Sequence, residues 1–367
     1  MKKTLIALAL TALPVAAMAD VVLYGQIKGG VGVTFADGKD SGTITQMEDY
    51  GSRIGFKGEE DLGNGLKAIW QVEQYVSLAG NRDKTNGDKA DASGFNTRDT
   101  FIGLEGGFGK VRAGYVSDQF NENMETMDIW EYHSGKGAQA RGLNIMTRHD
   151  GRQQGVRYDS PNFGGFDFNI THQLADGADE KAYEPNRSTE GQATIVGLNY
   201  ENSGFFGKLG YGNYKHKAVD NDGGQEDGHV VRVEGGYDAN NLFVGLAYQY
   251  AKNMPGWVAT GNAATNDAAI ADKAQEAALS VAYTMGAVTP KITYAHGWDL
   301  KNNGNKIKNS GYDQVIIGAD YALSKRTTAL VSAGWINGGN NVNDANEANK
   351  VEDDDLYSIG VGLRHKF

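Results

Sequence analysis

Leu356-Tyr357-Ser358-Ile359-Gly360-Val361-Gly362-Leu363-Arg364-His365-Lys366-Phe367 closes the chain, and every second residue from Tyr357 to Phe367 is apolar or aromatic apart from His365. Ser358, Gly360, Gly362, Arg364 and Lys366 fill the positions between. Strict alternation of this kind marks a β-strand with two unlike faces. Soluble chains tend to end in polar, frayed residues. A strand that closes a sheet in lipid cannot fray, because its backbone groups have no water to bond. The stretch therefore predicts a final strand that seals a transmembrane barrel, with Tyr357, Ile359, Val361, Leu363 and Phe367 outward and Arg364 inward.

The beginning of the chain is consistent with that ending. Lys2 and Lys3 precede an apolar run from Thr4 to Leu13, and Ala17-Met18-Ala19 supplies a small-residue cleavage site. Residues 1–19 are expected to be a cleaved signal peptide, with the mature chain, 20–367, starting at Asp20. No later segment has the 18 or so consecutive apolar residues of a membrane-spanning helix. An exported chain without such a helix is either soluble or a membrane β-barrel.

Composition narrows the choice. The net charge of −11 argues against nucleic-acid binding, which favours a basic face. With no Cys there is neither a disulfide framework nor thiolate chemistry. The 51 Gly and 5 Pro carry no collagen period and suit strands joined by tight turns. The chain is too polar for a helical membrane protein. A barrel resolves this, since only alternate residues of each strand need be apolar.

Turn signals recur along the chain at Asp61-Leu62-Gly63-Asn64-Gly65, Gly106-Gly107-Phe108-Gly109, Ser160-Pro161-Asn162-Phe163-Gly164-Gly165, Glu201-Asn202-Ser203-Gly204, Asp238-Ala239-Asn240-Asn241, Thr284-Met285-Gly286-Ala287 and Ala322-Leu323-Ser324-Lys325. Each carries residues suited to tight turns. Longer polar segments alternate with them, at 36–49, 80–95, 117–152, 175–189, 217–227, 253–272, 300–310 and 338–355. Seven short turns and eight long loops make fifteen connections, which predicts an all-β, 16-stranded antiparallel transmembrane β-barrel forming one domain. The third long loop is expected to contain a short helical turn near 121–130. The facing of the strand around 241–248 stays open, because it is apolar on both parities.

No catalytic, cofactor or metal signature emerges. Gly103 to Gly109 is glycine-rich after a strand, but another strand follows where a phosphate cradle needs a helix. Asp220-Asn221-Asp222-Gly223 lacks the later ligands of a calcium loop, and the seven His show no metal-ligand spacing.

Charge on one strand parity is informative. Tyr24, Gln26 and Lys28 alternate with Leu23, Ile27, Val31 and Val33, and the same pattern puts Arg53, Lys57, Lys67, Glu73, Arg112 and Arg157 inside. Arg98 shares parity with Thr100 but also with Ile102 and Leu104, which leaves its side open. A charge on the lipid face costs about 2–4 kcal/mol near the midplane, so this set calls for a wet interior. The third long loop carries Asp118, Glu122, Glu125, Asp128 and Glu131 with Phe120, Trp130 and Tyr132, then Lys136, Arg141 and Arg148. Folded into the lumen, its carboxylates would oppose the basic wall and set up a transverse field and a size filter. Left outside, it would be a solvated surface loop.

The runs Asp20-Val21-Val22-Leu23-Tyr24-Gly25, Gly55-Phe56-Lys57-Gly58-Glu59-Glu60-Asp61-Leu62-Gly63-Asn64-Gly65-Leu66-Lys67-Ala68-Ile69-Trp70-Gln71-Val72-Glu73, Phe101-Ile102-Gly103-Leu104 and Val156-Arg157-Tyr158-Asp159-Ser160-Pro161 resemble the Gram-negative general porins, especially the neisserial branch, as does the terminal Gly362-Leu363-Arg364-His365-Lys366-Phe367. The resemblance implies a cell-outer-membrane homotrimer with one channel per subunit for ions and small hydrophilic solutes, and loop 3 folded into each pore. It implies that Lys28, Lys67, Arg98, Arg112 and Arg157 form a basic constriction wall. Asp118, Glu122, Glu125, Asp128 and Glu131 are the loop 3 candidates by region. Phe367 resembles the terminal aromatic read by the barrel-assembly machinery, and outer-membrane lipids are the remaining implied partner. No cofactor, metal or nucleic acid is implied.

Overall fold

The computed structural model describes residues 21–37, 42–78, 98–130, 140–141, 143, 151–174, 192–219, 225–254, 272–302, 304–308, 310–338 and 355–367. Its strands run β1 (Val22–Asp37), β2 (Thr43–Asp49), β3 (Arg53–Gly63), β4 (Leu66–Tyr75), β5 (Thr100–Gly106), β6 (Gly109–Ser117), β7 (Arg152–Asp159), β8 (Phe166–Gln173), β9 (Ala193–Asn202), β10 (Phe205–Val219), β11 (Gln225–Ala239), β12 (Leu242–Lys252), β13 (Lys273–Tyr283), β14 (Val288–Gly297), β15 (Lys301–Asn302), β16 (Asn305–Lys306), β17 (Tyr312–Ala322), β18 (Thr327–Gly338) and β19 (Asp355–Lys366). One short helix, α1 (Gln119–Glu122), follows β6.

The wall holds 16 strands. β2 and β3 are two halves of one wall strand, since both pair with β1, and β15–β16 is a two-residue hairpin in the connection between β14 and β17, which pair directly. Every pairing is antiparallel, and β1 joins β19 from Gln26↔Lys366 to Asp37↔Asp355. The ring closes and leaves no open edge, which in hydrocarbon would strand unpaired N–H and C=O groups.

All seven expected turns lie between wall strands. Asn64-Gly65 and Asn240-Asn241 place two successive residues at positive φ, the requirement of a tight hairpin whose twist matches its strands. Two expected loops are shorter than their polar composition suggested. β1 runs to Asp37 and β2 starts at Thr43; β10 runs to Val219 and β11 starts at Gln225. These strands continue past the apolar band, where water can solvate both faces. The expected helical turn lies earlier than 121–130, because Asp118 starts it by accepting a hydrogen bond from the Asn121 amide (3.1 Å).

Strand facing follows the alternation. Ile102, Leu246 and Leu363 are 69, 60 and 54% exposed on the outer surface, whereas Gln26, Glu73 and Arg112 on the opposite parity are buried. β12, unresolved from sequence, turns Leu246 and Tyr248 outward and Ala247 and Gln249 inward. Its inner face keeps small residues such as Ala247 because a loop packs on it from within the barrel.

Candidate functional site

That loop is loop 3, the segment between β6 and β7. Phe120 and Met124 join Ala193, Ile195, Val230, Ala251 and Ala274 of the inner wall in one buried cluster. Met127, Ala140 and Leu143 join Ala247, Ala278, Ala295 and Ile336 in a second. Small wall residues leave room for the larger loop side chains. Burying side chains of this size contributes about 1.5–3 kcal/mol each.

Wall donors also hold the loop by its backbone. Lys208 Nζ donates to Asn123 O (2.8 Å), Arg232 Nη1 to Met124 O (3.4 Å) and Ser280 Oγ to Met127 O (3.0 Å). Lys291 Nζ donates to Ile129 O (2.8 Å), Lys28 Nζ to Trp130 O (3.3 Å) and Gln314 Nε2 to Ala140 O (3.3 Å). Arg141, fully buried, forms an ion pair with Glu48 of β2 and donates to Ser358 Oγ of β19 (2.7 Å). The loop thus lines the inside of the barrel from β6 round to β19 and β2. At its base, Asp99 accepts from the Ser117 amide (2.6 Å) and hydroxyl (2.8 Å) and from Arg152 Nε (3.2 Å). Ser117 and Arg152 face each other across β6 and β7, so one carboxylate ties both stems of the loop.

Two charge clusters face the loop from the wall. Glu122 sits 2.8 Å from Arg112 and 3.2 Å from Arg157, while Asp159 lies 2.8 Å from Arg112 and 2.6 Å from Arg157. Two guanidiniums and two carboxylates make a compensated quartet at the root of α1. Beside it, Glu73 forms an ion pair with Arg98, lies 3.6 Å from Arg53 and accepts from the Tyr24 hydroxyl (3.0 Å), so that two cations share one carboxylate. A cleft beneath Trp130 is lined by Lys28, Lys291, Asp320, Ser332 and Arg364, with Lys291 2.7 Å from Asp320.

The structure brings Lys28, Arg98, Arg112 and Arg157 to the lumen at loop 3. Arg98 precedes β5, and its side chain reaches Glu73 and the Tyr75 ring (5.2 Å), which answers the parity conflict. Lys67 is not brought to this group: it follows the Asn64-Gly65 turn, stays exposed and pairs with Glu59 at 2.7 Å. Glu73 lies six positions further along β4, roughly 20 Å at strand rise. Of the loop carboxylates, Glu122 meets the wall. Asp118 and Asp128 are buried and accept from backbone amides, Asn121 N and Trp130 N (3.1 Å each). Glu125 is half-buried and its carboxylate accepts no hydrogen bond from a described residue, its backbone carbonyl accepting from the Asp128 amide (3.0 Å), and Glu131 lies outside the described residues.

Sequence reasoning passed over Lys208, Arg232, Lys291 and Asp99. For Arg232 the signal was present, since it sits between the outward Val231 and Val233. Asp99 belongs to no strand pattern, and its role depends on residues brought beside it by the fold.

The sequence profile of the Gram-negative porins matches residues 20–367. The major outer membrane protein P.IB of Neisseria sicca is 44% identical over the whole of both chains, and those of Neisseria gonorrhoeae and Neisseria lactamica are 41 and 42% identical, again over the whole of both chains. The fold is similar to those of the anion-selective porin from Comamonas acidovorans (TM-score 0.67, 23% identity, 95% of this chain and 100% of that one) and Salmonella typhi OmpF (TM-score 0.67, 23% identity, 95 and 98%).

Proposed function

As this chain belongs to the Gram-negative porin family and forms an outer-membrane porin channel, we propose that its passive flux of ions and small hydrophilic solutes is set by a charged constriction between loop 3 and the basic wall. The observation that carries this reading is the seating of the loop carboxylate Glu122 against Arg112 and Arg157. A wall of Lys28, Arg98, Arg112 and Arg157 facing loop carboxylates polarises the water between them. Such a field orients dipolar solutes and admits them by size and charge. Lys67 acts outside this constriction, at the turn end of the pore. The working unit in this reading is a homotrimer in the outer-membrane lipid, exported through cleavage of residues 1–19 and inserted by the assembly machinery through Phe367.

Reconstitution of the purified mature protein in planar bilayers tests it. Discrete conductance steps that open in groups of three are expected. Silence of correctly folded protein would sink the channel reading for this chain, and single independent steps would remove the trimer.

A further inference from the structure

Most lumenal charges at the constriction already have partners. Glu122 and Asp159 are held by Arg112 and Arg157, Glu73 by Arg98, and Asp99 by Arg152. Glu125 is different. It lies on loop 3 just past α1, half-buried, and its carboxylate has no ion pair or hydrogen bond among the described residues. We propose that Glu125 is a proton-controlled selectivity residue of the constriction, adding a negative charge to the pore when ionised and removing it when protonated. This rests on the channel reading and goes beyond it by naming one residue that makes ion preference depend on pH.

Groups on every side of Glu125 act on it. Asp128 of the same loop repels its charge, and Arg152, Arg98 and Arg53 attract it from β7, the segment before β5, and β3. Those arginines are engaged by Asp99 and Glu73, which offsets their pull. Behind the loop, Lys208 of β10 donates to Asn123 O and Arg232 of β11 to Met124 O, while Glu234 of β11 is buried with neither carboxyl oxygen hydrogen-bonded. Burial dominates, Asp128 adds to it, and the Glu125 carboxyl is pushed up to about 7. The sign follows: below pH 7 Glu125 is neutral and the lumen more positive, favouring anions. Above pH 7 the carboxylate favours cations.

The test is the reversal potential of the mature protein in planar bilayers under a KCl gradient, followed from pH 5.5 to 8.5. An ordinary imidazole titrates in this window and the same loop contains His133 and His149, so wild type alone does not decide. Wild type is expected to show a step near pH 7 in which the cation-to-anion permeability ratio changes about twofold, as one charge some 8 Å from the ion path gives in water once roughly 0.1 M salt screens it. Glu125→Gln should lack that step and stay at the anion-favouring limit, whereas Glu125→Asp should keep a step. Equal pH dependence in wild type and Glu125→Gln overturns the proposal. So does loss of the step in Glu234→Gln with its retention in Glu125→Gln. Absence of conductance at every pH would overturn the channel reading instead.

Discussion

Arg157 shows how a lumenal charge becomes part of the scaffold. It is 1% exposed and reaches Glu122, Asp159, Asn123 Oδ1 (2.7 Å) and Ser117 O (3.0 Å). The inward parity of Arg157 by itself predicts that Arg157→Glu moves the reversal potential toward cations. The contacts predict a larger change, because a carboxylate there repels Glu122 and Asp159 and releases α1. Single-channel records of that variant should show altered conductance together with the selectivity shift; an unchanged reversal potential would remove Arg157 from the constriction. Asp99 carries a related prediction. Asp99→Ala leaves the Ser117 hydroxyl and amide and Arg152 without their shared acceptor, and open-channel noise should rise. Asp99→Asn retains an acceptor oxygen and should be quieter, whereas equal noise in both variants would argue that the charge, not the staple, matters. Arg141→Ala strips the partner from buried Glu48 and should lower stability by about 3–5 kcal/mol, read by denaturant titration of the refolded barrel.

At the scale of elements, the inner faces divide into two kinds. β9 to β14 carry Ala193, Ala247, Ala251, Ala274, Ala278 and Ala295 inward between polar anchors such as Lys208, Arg232 and Lys291, and loop 3 lays Phe120, Met124 and Met127 on the apolar positions. β3 to β7 carry Arg53, Glu73, Arg112 and Arg157 inward, where they pair with one another and with Glu122 of the loop. The break between β2 and β3 belongs to this arrangement. Gly51 takes φ +94°, and Asp49 Oδ1 accepts from the Gly51 and Ser52 amides (2.8 and 2.9 Å). The kink lets Ser52 Oγ hold the Lys28 backbone on both sides, N at 2.9 Å and O at 3.0 Å, and so fixes Lys28 below Trp130. Enlarging a small wall residue under the loop should push the loop into the lumen. Ala278→Leu, facing Met127, is expected to cost about 1–3 kcal/mol. It should also lower single-channel conductance relative to a matched outward change such as Leu279→Ile, and unchanged conductance would show that the loop yields elsewhere.

The whole molecule depends on one closure. Gly25 and Phe367 exchange backbone hydrogen bonds at 3.1 Å, which ties the last residue to the first wall strand. Deleting Phe367 removes these bonds and the ring, whereas Phe367→Ala removes the ring alone. If the ring is an assembly signal, both changes should reduce heat-resistant barrel in outer-membrane fractions; wild-type levels of Phe367→Ala would refute that role. The alternation of β19, the seven turns and the polar parity of β1, β4, β6 and β7 made the barrel, its strand number and its wet interior legible in the chain, because strand period and turn chemistry are local properties. Inward Lys28, Arg112 and Arg157 were legible for the same reason. The position of Lys67 at the turn end needed the height of each residue along the pore. The backbone-capping roles of Asp118 and Asp128, the stapling role of Asp99 and the lack of a partner for the Glu125 carboxylate among the described residues needed the path of loop 3. Alternation assigns a side chain to a face. Its partners come from strands far away in sequence, and here they are brought within hydrogen-bond reach only when β1 meets β19 and the loop is drawn in against the wall.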